Sequence, residues 1–83
     1  MDPEATLRKA LDGDRWARLD YNLWIERGGF AAKAKVFVHG DTMPRLVEVR
    51  YLGPKLVRCL TGLVHPKTEY IRYENVIAGS VHM

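Results

Sequence analysis

The first apolar residues of the chain follow a helical spacing, at positions i, i+3 and i+4 on one side of a helix. They are Leu7, Ala10 and Leu11. Asp2 is a suitable N-cap, and Pro3 fits the first helical position because its φ angle is already helical. Gly13 follows as a stop signal. The pattern predicts one helix over residues 3–12.

From residue 18 onward, apolar and polar residues alternate with a period of two, which is typical of strands with one buried face. In the first such segment four apolar residues share one side: Leu19, Tyr21, Leu23 and Ile25. Gly28-Gly29 follows, and this pair can adopt the positive φ angles that a tight hairpin turn needs. The alternation predicts six strands, over residues 18–26, 30–39, 45–52, 55–64, 68–73 and 76–81.

Glycine and proline mark the breaks between the later strands. The third predicted strand places Val47, Val49 and Tyr51 on one face. Gly53-Pro54 predicts a turn or sharp bend directly after it. Gly62, near the end of the fourth predicted strand, indicates a bulge or kink.

Length and composition agree with a single small domain. The chain has 83 residues, of which 47% are hydrophobic and 28% charged, as in ordinary globular proteins. Short strands with evenly spaced turns predict a domain over residues 1–83 that is mainly β with one N-terminal α-helix, folded as a five- to six-stranded antiparallel barrel. No apolar run approaches the roughly 20 residues of a membrane-spanning helix, and the N-terminus lacks a secretory pattern. We expect a cytoplasmic protein.

Candidate catalytic groups are few. Histidine occurs as His39, His65 and His82, and the single cysteine, Cys59, lies in an apolar strand-like segment. No Gly-rich phosphate loop, nucleophile elbow or zinc-ligand spacing is present. We expect Cys59 to be a small buried hydrophobe, and the protein to be non-catalytic, with neither a metal nor a cofactor.

Positive charge is concentrated in the centre of the chain. The net charge is +3, but residues 1–14 carry four acidic and two basic side chains, whereas the remainder carries eleven basic and six acidic ones. Seven basic residues lie between Arg27 and Arg58. Such an excess can attract phosphates. The alternative is that these cations form the solvated faces of amphipathic strands.

Aromatic residues accompany this charge, a combination through which proteins bind single-stranded nucleic acid by stacking. Across the predicted hairpin, Trp24 and Phe37 would form a cross-strand aromatic patch beside Lys33 and Lys35. The alternative is that Trp24 packs under the N-terminal helix.

A second cluster surrounds the Gly53-Pro54 bend, and loops on a small barrel are where ligand contacts tend to lie. Its members are Arg50, Tyr51, Lys55 and Arg58. The alternative is that Tyr51 belongs to the core and that the cations only increase solubility.

The C-terminal segment Tyr70-Ile71-Arg72-Tyr73-Glu74-Asn75-Val76-Ile77 resembles the second motif of the Sm-like family, in which an apolar residue and an arginine precede a turn and a short apolar strand. Val47 to Leu60 has the length of the two long strands, joined through a bend, of the family's first motif. The resemblance implies a small barrel that binds RNA, with Arg72 and Asn75 at a turn that lines the RNA-binding pore. An SH3-like barrel, with a short helical turn before its last strand, fits the same pattern.

The sequence therefore predicts a binding module for RNA or single-stranded DNA that neutralises phosphates and stacks on bases. The candidate nucleic-acid-binding residues are Lys33, Lys35, Arg50, Lys55, Arg58, Arg72 and Asn75, with Trp24 and Phe37 as aromatic candidates. The rival hypothesis is a protein-interaction or oligomer-forming module whose strand edges meet another chain. A third is a small-ligand binder whose pocket opens at a subunit interface. We expect a homo-oligomer that does not contact membranes.

Overall fold

Two aspartates begin the two helices of the chain in the computed structural model, which describes residues 1–62 and 64–83. Helix α1 spans Pro3–Leu11, and the carboxylate of Asp2 accepts hydrogen bonds from the backbone N–H groups of Glu4 (3.1 Å) and Ala5 (3.3 Å). This is the N-cap that the sequence predicts. The predicted helix over 3–12 is confirmed, one residue shorter at its C-terminal end.

A second helix stands where the sequence predicts the first strand. Helix α2 spans Arg15–Glu26, and the carboxylate of Asp14 accepts hydrogen bonds from the N–H groups of Trp16 (3.0 Å) and Ala17 (3.1 Å). The predicted strand over 18–26 is therefore wrong. Asp14 supplies a start signal of the same kind as Asp2.

The alternation in this segment also satisfies a helical spacing, which is why it misled the prediction. Tyr21 and Ile25 are four residues apart and pack in or against the core. Leu19 and Leu23 are also four residues apart and are exposed. Gly28-Gly29 does not form the predicted hairpin turn, because it follows the end of a helix and not a strand.

Five strands follow the helices and form one antiparallel sheet. They are β1 (Lys33–Val36), β2 (Arg45–Leu52), β3 (Leu56–Thr61), β4 (Lys67–Arg72) and β5 (Val76–His82). Their order across the sheet is β4-β3-β2-β1-β5. A 3₁₀ turn, Tyr73–Asn75, connects β4 to β5.

The last four predicted strands form close to their predicted limits, whereas the strand predicted over 30–39 shortens to β1. Leu63, in the predicted strand 55–64, lies outside the described residues. Gly62 has a φ of +86° directly after β3, as its predicted kink requires. In the part of the chain that the structure describes, the fold is mainly β, with two helices and not one, and five strands and not six. Within the described residues β4 and β5 are the two sheet edges, so the sheet is not closed and the predicted barrel is not confirmed.

One hydrophobic core joins the helices to the inner face of the sheet. It includes Leu7, Ala10, Ala17 and Tyr21 from the helices and Ala34, Val36, Val47, Val49, Leu52, Val57, Cys59, Ile71, Val76 and Val81 from the strands. Because successive side chains of a strand point to opposite sides, the residues between these core positions form the outer face of the sheet.

Two neighbouring side chains attach α2 to the sheet. The hydroxyl of Tyr21 donates a hydrogen bond to the carbonyl of Val49 (2.7 Å) and accepts one from the N–H of Ala32 (2.9 Å). The amide of Asn22 donates to the carbonyl of Leu52 (3.0 Å) and accepts from the N–H of the same residue (2.7 Å). These bonds satisfy backbone groups that would otherwise be buried without a partner.

Candidate functional site

A bulge in β2 turns one tyrosine away from the core. Val49 is paired with Cys59 of β3, but the next pair is Tyr51 with Arg58, so Arg50 is the extra residue. Strict alternation predicts that Tyr51 shares the face of Val49. The bulge instead moves it to the outer face, where its side chain is 45% exposed. The core alternative for Tyr51 is therefore wrong.

Tyr51, Arg58 and Tyr70 form one row across three strands of the outer face. Arg58 is the cross-strand partner of both tyrosines. Its guanidinium lies 5.2 Å from the centroid of the Tyr51 ring, which is within the range of a cation–π interaction. Tyr70 is 64% exposed. Since neighbouring strands are about 5 Å apart, the backbones of the two tyrosines lie about 10 Å apart, with Arg58 between them.

A second row lies nearer to the Gly53-Pro54 bend. Leu56 is the cross-strand partner of Arg72. This pair lies two residues from the Arg58–Tyr70 pair, on the side of the bend. The N–H of Gly53 donates a hydrogen bond to the carbonyl of Leu56 (2.9 Å), which closes the bend. A Cβ atom at Gly53 would lie only 2.9 Å from that same carbonyl oxygen, so the close approach requires glycine.

These two rows surround a concave surface at the tip of the β2–β3 hairpin. A groove of about 330 Å³ runs between the two tyrosines and the bend. A wider depression of about 680 Å³ adjoins it, between Lys55 and Arg72. We call this cluster the bend site, and its members are Tyr51, Lys55, Leu56, Arg58, Tyr70 and Arg72.

The bend site carries positive charge that is little neutralised. Among the described residues, neither Lys55 nor Arg58 has a carboxylate within 4.0 Å. Arg72 lies 3.6 Å from Glu74, but both side chains are at least 70% exposed, and such pairs are weak in water. Three cations are thus accessible to an anionic ligand.

Two arginines of α2 approach the same bend from its other side. Arg15 and Arg18 line a shallow depression beside Gly53-Pro54. The guanidinium of Arg18 lies 4.0 Å from the centroid of the Tyr73 ring, and the hydroxyl of Tyr73 donates a hydrogen bond to the Gly53 carbonyl. Burial raises the pKa of Tyr73, while the charge of Arg18 acts in the opposite direction. The hydroxyl keeps its proton at neutral pH and anchors the bend.

Of the predicted cations, the bend site contains Lys55, Arg58 and Arg72, and the others lie elsewhere. Lys33 and Lys35 are on β1, and Lys33 faces Glu48 on β2. Arg50 is the bulged residue, and its guanidinium is 3.7 Å from a carboxylate oxygen of Glu48. The part that these three residues play in binding stays a prediction.

Trp24 and Phe37 do not form the predicted cross-strand patch, because Trp24 lies on α2. The indole ring of Trp24 packs over Gly29, and its Nε1 donates a hydrogen bond to the Phe30 carbonyl (2.8 Å). Trp24 therefore fixes the segment after α2. Phe37 is partly buried, and its N–H donates to the carbonyl of Asn75 in the 3₁₀ turn (2.9 Å). A binding role for Asn75 is untested.

Cys59 and the carboxylate closest in sequence to His39 are both engaged in the fold. Burial raises the pKa of the Cys59 thiol to about 12, which leaves it protonated at neutral pH. Asp41, the carboxylate nearest in sequence to His39, is held by Arg45 at 2.6 and 3.0 Å. In the described part of the chain, no group of three or more His, Cys, Asp or Glu residues is placed to hold a metal ion. No helix in that part is long and apolar enough to cross a bilayer.

Comparison of the chain with models of protein families, with curated proteins and with solved structures finds no match. The bend site is therefore interpreted from its own residues.

The sequence places Tyr51 in the cluster around the bend but leaves its face open, and it does not name Tyr70 as a binding candidate. A signal for the face of Tyr51 exists in the spacing of the bend. A four-residue turn over 53–56 pairs residue 51 with residue 58, and this register places Tyr51 beside Arg58 on the outer face. Alternation counted from Val47 gives the opposite face. The disagreement between the two counts indicates a bulge between Val47 and Tyr51.

Proposed function

We propose that the chain binds single-stranded nucleic acid at the bend site. Lys55, Arg58 and Arg72 contact phosphates, and bases stack on the rings of Tyr51 and Tyr70. The observation that carries the proposal is the row of Tyr51, Arg58 and Tyr70, because it combines two accessible rings with an unpaired cation on one rigid sheet. Base–aromatic stacking and phosphate neutralisation are the two terms that dominate sequence-tolerant single-strand binding.

We also propose that the domain is related to the small β-barrels, and the order of its strands supports this. Sequential antiparallel strands from β1 to β4, a 3₁₀ turn, and a last strand beside β1 fit an SH3-like or Sm-like arrangement whose two edges have not joined. In such a domain the loops between strands carry ligand contacts. The bend site is formed by one of these loops and the strands around it.

The first experiment measures the fluorescence anisotropy of a dye-labelled oligonucleotide of about 12 nucleotides, as RNA and as single-stranded DNA, at about 20 mM salt. We expect both to bind, since phosphates and base faces are common to them. With three phosphate contacts, the logarithm of the association constant should fall with the logarithm of the salt concentration with a slope of about −2. The absence of binding at low salt overturns the proposal.

Substitutions then test the two contributions separately. Tyr70→Ala should weaken binding about tenfold or more, whereas Tyr70→Phe should retain most of the affinity because the ring is kept. Arg58→Ala should weaken binding and make the salt slope shallower by about 0.7.

Matched controls use cations outside the bend site. Lys9→Ala on α1 removes the same charge from an exposed helical position and should change affinity by less than about twofold. Lys35→Ala tests the other predicted part of the outer face. If Lys35→Ala and Arg58→Ala weaken binding equally and Tyr70→Ala does not, binding follows overall charge, and the bend site is the wrong location.

A further inference from the structure

Helix α2 has an exposed apolar stripe on the side that faces away from the core. Trp16 is 77% exposed, Leu19 52% and Leu23 42%. At about 100° per residue, these three side chains lie within about 60° of one another. The buried residues Ala17 and Tyr21 point to the opposite side of the helix. The stripe therefore belongs to α2 but not to the core.

The spacing of this stripe, i, i+3 and i+7, is that of a seam between two helices. Single exposed apolar residues are normal on a protein surface, but a contiguous stripe of large ones marks a contact surface. In the described residues this side of α2 is not covered by any other element. The stripe requires a partner that also presents a helix or a shallow apolar groove.

Charges flank the stripe in an arrangement that suits the helix itself as partner. Arg15 and Glu26 border one side, near opposite ends of α2, and Asp20 and Arg27 border the other. Within the described chain, none of these four side chains forms an intrachain ion pair. Each flank therefore offers one unpaired acid and one unpaired base.

We propose that α2 packs antiparallel against α2 of a second copy of this chain. In a two-fold arrangement each flank meets the same flank of its partner, running in the opposite direction. Placing Leu19 opposite the partner's Leu23 brings Arg15 opposite the partner's Glu26 to within about one residue, or about 1.5 Å along the axis. The register that buries the leucines thus also pairs the charges of this flank, whereas on the other flank Asp20 lies about five residues, or about 7.5 Å, along the axis from the partner's Arg27.

The inference does not depend on the proposed function, because the stripe and the bend site share no residue. The interface is small, so the dimer is expected to dissociate in about the micromolar range. Analytical ultracentrifugation of the full chain between about 5 and 300 µM should show a shift from monomer to dimer. A monomer throughout this range overturns the proposal.

Substitutions in the stripe test its location. Leu23→Asp should abolish dimerisation at about 300 µM, because it places two carboxylates in the apolar seam. Met43→Asp, at a loop position that is 74% exposed, is the matched control and should dimerise like the unchanged protein. Circular dichroism verifies that both variants fold. A folded Leu23→Asp variant that still dimerises refutes the assignment to α2.

Charge reversal tests the orientation. Arg15→Glu and Glu26→Arg each place like charges together and should weaken dimerisation about fivefold or more. Neither change destabilises the helix, since an acidic side chain near its N-terminus and a basic side chain near its C-terminus both interact favourably with the helix dipole. The double variant should dimerise again, and so should an equimolar mixture of the two single variants. If the double variant remains as weak as the single ones, the antiparallel register is wrong.

Discussion

The hydroxyl of Tyr21 on α2 donates a hydrogen bond of 2.7 Å to the backbone carbonyl of Val49 on β2. Both residues are fully buried. The same hydroxyl accepts from the N–H of Ala32, so one oxygen joins the helix, the central strand and the segment before β1. Loss of this oxygen leaves two buried backbone groups without partners.

Tyr21→Phe is therefore expected to lower the free energy of unfolding by about 2 kcal/mol, because each buried unpaired group costs about 1 to 3 kcal/mol and some relaxation offsets it. Urea denaturation followed by circular dichroism measures the change. Tyr70→Phe removes a hydroxyl from an exposed ring and serves as the control, with a change of less than about 0.5 kcal/mol. Equal effects of the two substitutions would show that the Tyr21 network contributes no stability.

Alkaline pH should destabilise the protein through two buried acids. Burial raises the pKa of Tyr21 from 10.0 to about 12 and that of Cys59 from 9.0 to about 12. The unfolded chain therefore loses these protons at lower pH than the folded chain, and the free energy of unfolding falls as pH rises. The stabilisation is complete below pH 9 and is lost progressively as pH approaches 12.

Urea denaturation at several pH values between neutrality and about pH 11 measures this slope, which is at most about 1.4 kcal/mol per pH unit for each group. Cys59→Ala should lower stability at neutral pH but flatten the decline that begins near pH 9, and Tyr21→Phe should flatten the decline above pH 10. A free energy of unfolding that does not change up to pH 11 would contradict the burial of both acids.

Gly29 leaves room for the indole ring of Trp24, since a Cβ atom at this glycine would overlap the ring. Gly29→Ala should displace the ring, break its hydrogen bond to the Phe30 carbonyl and destabilise the protein by about 1 to 3 kcal/mol. Gly79→Ala is the control, because nothing lies within 4 Å of its Cβ position.

The fluorescence of Trp24 reports the displacement, in a Trp16→Phe background that removes the exposed indole. We expect a red shift of the emission for Gly29→Ala and none for Gly79→Ala. Identical spectra for the two alanine variants would mean that the Trp24 ring keeps its position when a Cβ atom is added at Gly29.

The side-chain amide of Asn22 hydrogen-bonds both backbone groups of Leu52, as a neighbouring strand would. It donates to the carbonyl and accepts from the N–H. Asn22→Ala should lower the free energy of unfolding by about 2 kcal/mol. It should also weaken oligonucleotide binding, because Leu52 directly precedes the Gly53-Pro54 bend. Asn75→Ala is the control for the stability measurement alone, since the Asn75 side chain makes no hydrogen bond among the described residues. Unchanged stability in Asn22→Ala would remove Asn22 from the contacts that hold α2 on the sheet.

The sequence predicts the parts of this fold that depend on local chemistry. Asp2 and Pro3 define the start of α1, and Gly53-Pro54 defines the β2–β3 bend, because caps and tight turns need particular residue types. It fails at α2, where Leu19, Tyr21, Leu23 and Ile25 fit a strand and a helix equally well. The spacing of these four residues does not decide between the two. The N-cap at Asp14 is the local signal for the helix, and tertiary packing then places one pair in or against the core and exposes the other.

The candidate site was predictable in the same uneven way. The cations around the bend are visible in the sequence, because their positions follow from the turn. The face that Trp24 occupies is not, because it depends on which element forms, and the face of Tyr51 follows only when the spacing of the bend is compared with the alternation along β2. Neither condition is a property of the tyrosine or the tryptophan itself.

The bulge absorbs the one residue, Arg50, by which β2 exceeds the facing stretch of β3. Deleting Arg50 would place Tyr51 directly after Val49 in a regular strand, so Val49 would still point into the core and Tyr51 would still point outward, opposite Arg58. Chains with the same residues and one fewer at this point would therefore keep both the fold and the bend site. A one-residue gap at this position of β2 is thus compatible with binding, although it changes the length of the strand.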